Sequence, residues 1–229
     1  MGEHVEFPGG HGYLATPDHG SAGPALIVLG GGGSRGDGGI DRGAIALSDR
    51  FATEGFTALA VARDAQSDGV VEETPDGVTG KVLIQSGSRP PVPLDAVAFL
   101  EGHPLVHGKG VGVIGLYVGG FAALDLAAAA TGDVRALVVF DGPALAATTS
   151  WADVQAPAEC HVGLADRNSF RDVVAAFEAG ADERRAKVSV FHYADAPTRF
   201  WDGTGPSHDA DADREAFVRT LSFLRAHLG

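Results

Sequence analysis

The residues best placed for chemistry lie in one short segment, Gly115-Leu116-Tyr117-Val118-Gly119-Gly120. Glycines stand two positions before and after Tyr117, a spacing typical of a sharp strand-to-helix turn that holds a nucleophile at its centre. The turn is so tight that a side chain in place of either glycine would clash. The expected nucleophile is Ser, Cys or Asp, but the residue here is Tyr117. A phenol, with a pKa of about 10, is a poor nucleophile without a base but can donate a proton.

A second candidate is the glycine cluster at residues 30–36, GGGGSRG, which directly follows the apolar run at residues 25–29. Such a cluster could cradle a phosphate, but the chain has neither G-x-G-x-x-G with a downstream ribose-binding acid nor G-K-[ST]. Nucleotide binding is therefore disfavoured. The favoured interpretation is a loop whose backbone N–H groups stabilise an oxyanion.

The elements that must position these groups alternate along the chain between short apolar runs and helical patterns. The predicted strands cover residues 4–7, 12–16, 25–29, 57–62, 111–114, 136–140, 158–164 and 188–192. The predicted helices cover residues 40–53, 94–100, 121–130, 170–179 and 211–228. This alternation predicts an α/β fold, with a mostly parallel central sheet and helices on both faces, in a single domain over residues 1–229. Residues 63–93 predict a long surface excursion that either covers a site or only connects elements.

Composition limits the classes of partner. The chain is 45% hydrophobic and carries a net charge of -13, which argues against nucleic acid and anionic membranes. One cysteine, Cys160, excludes an internal disulfide, and we see neither a signal peptide nor a membrane span, so a cytoplasmic protein is expected. No metal or cofactor is expected. The predicted partner is a small molecule, and the chain is expected to be a monomer or homodimer.

Several segments, in this order, resemble the dienelactone hydrolase family of α/β-hydrolases over nearly the full length of the chain. They are GYLATP, PALIVLGGGG, LSDRFATEGFTALAVA, GKGVGVIGLYVGGFAAL, HVGLADRN and REAFVRTLSFLRAHL. The resemblance implies an α/β-hydrolase fold. It also implies the family's chemistry, in which a Cys-His-Asp triad opens lactones and esters.

Carried over position by position, the resemblance places the catalytic cysteine at Tyr117 and the aspartate at Asp166, after the strand at residues 158–164. The histidine falls on Thr198, within Tyr193-Ala-Asp-Ala-Pro-Thr-Arg-Phe200. The family's glutamate after the strand ending at Leu29 is replaced by Gly31 or a neighbouring glycine. The triad is therefore expected to be degenerate, with Asp166 as its remaining member.

Apart from the triad positions, the predicted site consists of an oxyanion hole and the side chains around it. The Val118 N–H, at a helix N-terminus, and one N–H from Gly31 or Gly32 are the predicted donors. The other predicted site residues are Arg35, Asp141, Phe200 and Trp201. With Tyr117 as acid and Asp141 or Asp166 as base, such a site could transfer protons.

Simpler interpretations stay open for several of these residues. Asp166 could cap a loop, and Arg35 could be a solvated loop residue. His192 or His208 could replace the missing base, although a surface or core role is favoured for both. Cys160 lies within a predicted strand and is interpreted as a small core residue.

Three functions follow from these features. The favoured one is an enzyme that acts on a carbonyl-containing metabolite without hydrolysis, by cyclisation, isomerisation or dehydration. The second is a pseudoenzyme that binds a small molecule or a protein. The third is a residual ester or lactone hydrolase that uses Tyr117 or an activated water.

Overall fold

The computed structural model describes residues 2–30, 39–62, 70–71, 82–83, 93–141, 148–165, 171–179 and 188–229. Its strands are β1 (Glu3–Phe7), β2 (Gly10–Ala15), β3 (Gly23–Leu29), β4 (Thr57–Val61), β5 (Val70–Val71), β6 (Val82–Leu83), β7 (Val106–Leu116), β8 (Val134–Phe140), β9 (Ala158–Gly163) and β10 (Val188–Tyr193). Its α-helices are α1 (Arg42–Thr53), α2 (Leu94–Glu101), α3 (Gly119–Ala129), α4 (Thr148–Asp153), α5 (Arg171–Ala179) and α6 (Ala210–Leu228). A 3-10 turn covers Asp18–Gly20.

The central sheet has eight strands in the order β1-β2-β4-β3-β7-β8-β9-β10. All pairs from β4 to β10 are parallel, and the antiparallel hairpin β1–β2 pairs antiparallel with β4 at one edge. The inner strands read as continuous apolar runs because parallel strands are covered on both faces. In β3, for example, residues 25–29 are all at most 1% exposed.

Helices cover both faces of this sheet. One apolar cluster joins the sheet to α2, α3, α4 and α5, and a second joins the opposite face to α1 and α6. The predicted α/β class, with a mostly parallel sheet between two helical layers, is confirmed. In the parts of the chain that the structure describes, no helix combines the length and the apolarity that a membrane crossing needs.

The structure differs from the sequence prediction in several places, one of which is helix α4 (Thr148–Asp153), a helix that was not predicted. Strand β7 begins at Val106 rather than at residue 111. It includes the segment 107–110, which lies at a register shift against β3 and is too polar to read as an apolar run. The short strands β5 and β6 pair with each other within the predicted surface excursion. Neither the polar start of β7 nor the β5–β6 pair has an apolar periodicity that could have revealed it.

A buried polar cluster surrounds His161 where β9 packs against α6. Its Nδ1 lies 2.9 Å from the Tyr193 hydroxyl, and its Nε2 lies 3.1 Å from the Thr220 hydroxyl and 3.6 Å from the Glu159 carboxylate. Arg219 donates to the Tyr193 oxygen over 3.2 Å. Because a guanidinium can only donate, the Tyr193 hydrogen remains for Nδ1, and we assign the proton of the neutral ring to Nε2.

Burial lowers the pKa of His161, although the nearby Glu159 carboxylate acts in the opposite direction. The side chain is fully buried, so the charged imidazolium loses its hydration on folding. Folding therefore shifts the protonation equilibrium of His161 toward the neutral ring.

We predict that the His161→Gln variant loses part of the parent's pH dependence of stability. Since the folded pKa of His161 is lowered, the unfolded chain binds more protons below about pH 6.5, and the parent's unfolding free energy decreases as the pH is lowered through that range. Urea unfolding of both proteins measures this. The difference between parent and variant should shrink from about pH 7.5 to about pH 5.5. A constant difference would show that His161 titrates alike in both states.

Candidate active site

Tyr117 occupies a strained turn between β7 and α3. Its φ is 51°, a left-handed value that costs a bulky residue about 1–3 kcal/mol. The Tyr117 N–H donates to the Phe140 carbonyl of β8 over 2.9 Å, and the Tyr117 carbonyl accepts from the Gly120 N–H over 3.0 Å. The predicted left-handed strand-to-helix turn is thus confirmed, and its central residue is a tyrosine.

The flanking glycines are required by close backbone contacts. A Cβ on Gly115 would lie 2.6 Å from the Gly120 Cα, and a Cβ on Gly119 would lie 2.2 Å from the Leu29 carbonyl oxygen. Real Cβ atoms do not approach backbone atoms so closely. The first glycine lets α3 fold back against β7, and the second lets the helix start directly beside the end of β3.

The turn carries two groups suited to polar chemistry, the Tyr117 hydroxyl and the Val118 N–H. The Tyr117 side chain is only partly buried. Val118 follows it at the N-terminus of α3, and no acceptor among the described residues receives the Val118 N–H. A helix N-terminus carries partial positive charge, so this N–H suits a negatively charged or polarised oxygen.

Asp141, expected to contact substrate or act as a base, is a buried anchor in this structure. It follows β8 with a φ of 69° and is 1% exposed. Its Oδ2 accepts the Arg199 N–H over 2.8 Å and the Trp201 indole N–H over 3.0 Å. Its own N–H donates to the His161 carbonyl over 2.8 Å. These bonds aim the carboxylate at the segment after β10.

Thr198 lies in that segment and is partly exposed. The segment is held against the end of β9, where the Ala165 N–H donates to the Ala196 carbonyl over 3.0 Å. A Cβ on Gly163 would meet the Pro197 carbonyl oxygen at 2.3 Å, so the two backbones touch. Tyr117 and Thr198 therefore follow strands β7 and β10 at the same carboxyl edge of the sheet.

Two residues predicted near the site are core residues here. Phe200 is 0% exposed, and its ring lies 4.7 Å from that of Tyr193. Trp201 is 6% exposed and packs beside Gly43 of α1. In this conformation neither ring forms a wall that is open to a ligand.

The histidines that could replace the missing base are engaged at the surface. His192 pairs with Glu178 of α5 at 3.1 Å, and His208 pairs with Asp213 of α6 at 3.3 Å. These ion pairs favour a surface role for both. Burial raises the pKa of the Cys160 thiol, which agrees with its interpretation as a core residue.

Four predicted site residues lie outside the described residues, and their roles stay predictions. They are Gly31, Gly32, Arg35 and Asp166. The same holds for most of the predicted excursion at residues 63–93.

Sequence reasoning missed Arg199 and its left-handed backbone. Its φ of 65° is uncommon for a residue with a long side chain, and no local pattern signals it. Its guanidinium donates to Asp202 over 2.8 Å, and Asp202 also accepts from both the N–H and the hydroxyl of Thr204. The turn that carries Thr198 is therefore fixed through both its backbone and its side chains.

A groove of about 920 Å³ lies on the α6 side of the same segment. Its lining comprises Tyr193, Ala196, Asp209, Arg214, Arg219 and neighbouring residues, without Tyr117 or Thr198. It is therefore separate from the candidate site.

The model of the dienelactone hydrolase family matches residues 11–228. Comparison with curated proteins gives no match. Among solved structures, a dienelactone hydrolase-like promiscuous phosphotriesterase from metagenomic libraries is 21% identical, with a TM-score of 0.70 over 100% of this chain and 99% of that one. A dienelactone hydrolase from Anabaena variabilis ATCC 29413 is 19% identical, with a TM-score of 0.64 over 100% and 98%. A Pyrococcus furiosus esterase is 16% identical, with a TM-score of 0.66 over 100% and 92%. At these identities the similarity to solved structures shows the fold alone.

We predict that Gly119→Ala destabilises the protein by about 1–3 kcal/mol or more, because its Cβ would overlap the Leu29 carbonyl. Gly102→Ala is the matched control, since Gly102 is exposed and a Cβ there meets nothing closer than 3.4 Å. The control should stay within about 0.5 kcal/mol of the parent. Urea denaturation of the three proteins measures both effects, and equal stability of the two variants would contradict the close contact at the turn.

Proposed function

The chain belongs to the dienelactone hydrolase family, and from that premise we propose that it binds a small carbonyl-containing metabolite at Tyr117 and catalyses a non-hydrolytic step. Cyclisation, isomerisation and dehydration are the reaction types that fit. Each moves a proton beside a carbonyl group, and none needs a covalent acyl intermediate.

The observation that carries this proposal is the left-handed turn that presents a phenol where the family presents a nucleophile. A phenol at this point can donate a hydrogen bond or a proton to a carbonyl oxygen. The Val118 N–H supplies a second donor from the start of α3. Donors fixed in this way stabilise negative charge that develops on the oxygen during reaction.

Hydrolysis by Tyr117 is disfavoured by the groups around it. A phenol is a weak nucleophile unless a neighbouring base takes its proton. The position that resembles the family's histidine is Thr198, whose hydroxyl does not accept a proton at neutral pH. The resemblance therefore gives Tyr117 no imidazole base of the kind that a hydroxyl nucleophile requires.

The proton-transfer step uses a carboxylate as base. Asp141 is a poor choice because two N–H donors already hold its Oδ2 toward the segment after β10. Asp166, at the family's acid position, is the proposed base. It removes a proton from the carbon beside the carbonyl while Tyr117 protonates the carbonyl oxygen. The protonated Asp166 then gives its proton either to the γ-carbon of a conjugated enol or to a β-hydroxyl group that leaves as water. The enol O–H returns its proton to the Tyr117 phenolate as the carbonyl group re-forms.

We predict that Tyr117→Phe lowers carbonyl-dependent proton exchange. Wash-in of deuterium from D2O at the carbon beside the carbonyl, followed by NMR on a panel of lactones and β-keto esters, measures the step shared by all three reaction types. Loss of the phenol should slow exchange by about 10²-fold or more, the usual effect of a positioned acid. Hydrolysis of p-nitrophenyl acetate and a dienelactone should be equal in parent and variant.

Each other outcome selects a different function. A burst of p-nitrophenol that depends on Tyr117 would overturn the proposal in favour of a hydrolase. Binding of a panel compound without exchange in the parent would indicate a binding protein. The phenylalanine variant keeps the ring, so a loss of exchange reports on the hydroxyl alone.

We predict that Tyr117→Cys combined with Thr198→His restores ester hydrolysis. Backbone donors need no repair, and Asp166 is the expected third member of the triad. The gain should be about 10²-fold or more over either single variant, because triad members act as a unit. The rate of p-nitrophenyl acetate hydrolysis measures it, and adding Asp166→Ala should abolish the gain.

A double variant without activity would contradict the assignment of the triad positions. If the double variant folds and its new thiol reacts with iodoacetamide, yet it hydrolyses nothing, then Thr198 and Asp166 do not occupy the triad positions. The partners of Tyr117 would then have to be sought elsewhere.

A further inference from the structure

The geometry points to Asp141 as the positioning residue that fixes the Thr198 turn opposite Tyr117, an inference that rests on the proposed function of this site. Its carboxylate does not touch the reacting atoms. It acts by holding the backbone next to Thr198, and thereby sets where the side chain at position 198 can reach.

One carboxylate oxygen of Asp141 accepts two hydrogen bonds from the segment after β10. The Asp141 Oδ2 accepts the Arg199 N–H at 2.8 Å and the Trp201 indole N–H at 3.0 Å, from residues 58 and 60 positions away in the chain. Asp141 and Trp201 are both buried, so the bond between them is shielded from water. A charged acceptor with two donors in such a place is a strong link between distant segments.

Phe140, the residue before Asp141, holds the Tyr117 turn. The Phe140 carbonyl accepts the Tyr117 N–H over 2.9 Å. Phe140 at the end of β8 therefore binds the Tyr117 turn, and Asp141, which follows it, binds the Thr198 turn. Because β8 is paired with β7 and β9 in fixed register, this end of the strand is a rigid reference point.

The Thr198 turn needs such a restraint. Arg199 has a φ of 65°, which an arginine does not prefer. The bond from its N–H to Asp141 stabilises this conformation from the backbone side. The bond from its guanidinium to the buried Asp202 stabilises it from the side-chain side. Thr198 directly precedes Arg199, so its orientation follows from this restrained backbone.

Amide hydrogen exchange on the full-length parent tests the link directly. Asp141→Asn keeps the size of the side chain and tolerates a left-handed backbone, but it removes the charge. We expect the Arg199 amide to exchange at least tenfold faster in this variant, with no change for amides in the middle of β7. Equal exchange of the Arg199 amide in both proteins would overturn the inference.

A second measurement reports on the site itself. In the Tyr117→Cys, Thr198→His background, an imidazolium beside the new thiol favours the thiolate. Iodoacetamide alkylation, located by peptide mass spectrometry to distinguish it from Cys160, should be at least tenfold faster near pH ~6 than in Tyr117→Cys alone. Adding Asp141→Asn should remove this tenfold gain and return the pH profile to that of the single variant.

Trp201→Phe is the matched control in the same background. It removes the indole donor but leaves both the carboxylate and the Arg199 N–H, so most of the gain in alkylation should remain. If Asp141→Asn does not fold, Asp141→Gly replaces it, since glycine adopts the φ of 69° without strain. Circular dichroism confirms that each variant is folded.

The outcomes separate this inference from the proposed function. A gain in alkylation that survives removal of the Asp141 carboxylate would overturn the positioning role. Absence of any gain in the background variant would contradict the placement of Thr198 opposite Tyr117, and hence the proposed site. Faster exchange of the Arg199 amide would still support the link to Asp141 in that case.

Discussion

The close contact of the Tyr117 turn with its neighbours is the constraint on which the candidate site depends. The turn forces a left-handed backbone on Tyr117 and brings the start of α3 against the end of β3. Only glycine fits at positions 115 and 119, because a Cβ would overlap backbone atoms. The same geometry leaves the Tyr117 side chain partly exposed at the carboxyl edge of the sheet and places Val118 at the start of α3. The strain at Tyr117 is compatible with folding because two large apolar clusters hold the sheet between its helices.

The end of β8 connects this turn to the rest of the site. Phe140 receives the Tyr117 N–H, and Asp141 receives the N–H of Arg199. A strand end that holds both halves keeps the Tyr117 turn and the Thr198 turn in place relative to each other.

Much of the fold could be predicted from the sequence, because buried parallel strands read as continuous apolar runs and the helices carry one apolar face. The left-handed turn at Tyr117 could also be predicted, since paired glycines leave a distinct spacing. The role of Asp141 could not, because its partners at Arg199 and Trp201 are distant in sequence and no local pattern pairs them. The burial of Phe200 and Trp201 could not be predicted either, because it depends on how the segment after β10 packs against the sheet and α1. Arg199 shows the same limit, since a left-handed arginine has no sequence signature.

The decisive measurement is the position of a bound carbonyl group relative to Tyr117. A crystal structure of the protein grown with a lactone that it binds in solution would show where the carbonyl oxygen lies. We expect that oxygen within hydrogen-bond distance of both the Tyr117 hydroxyl and the Val118 N–H, with Tyr117 still left-handed. A lactone bound elsewhere on the protein, or one covalently attached as an ester of Tyr117, would contradict it.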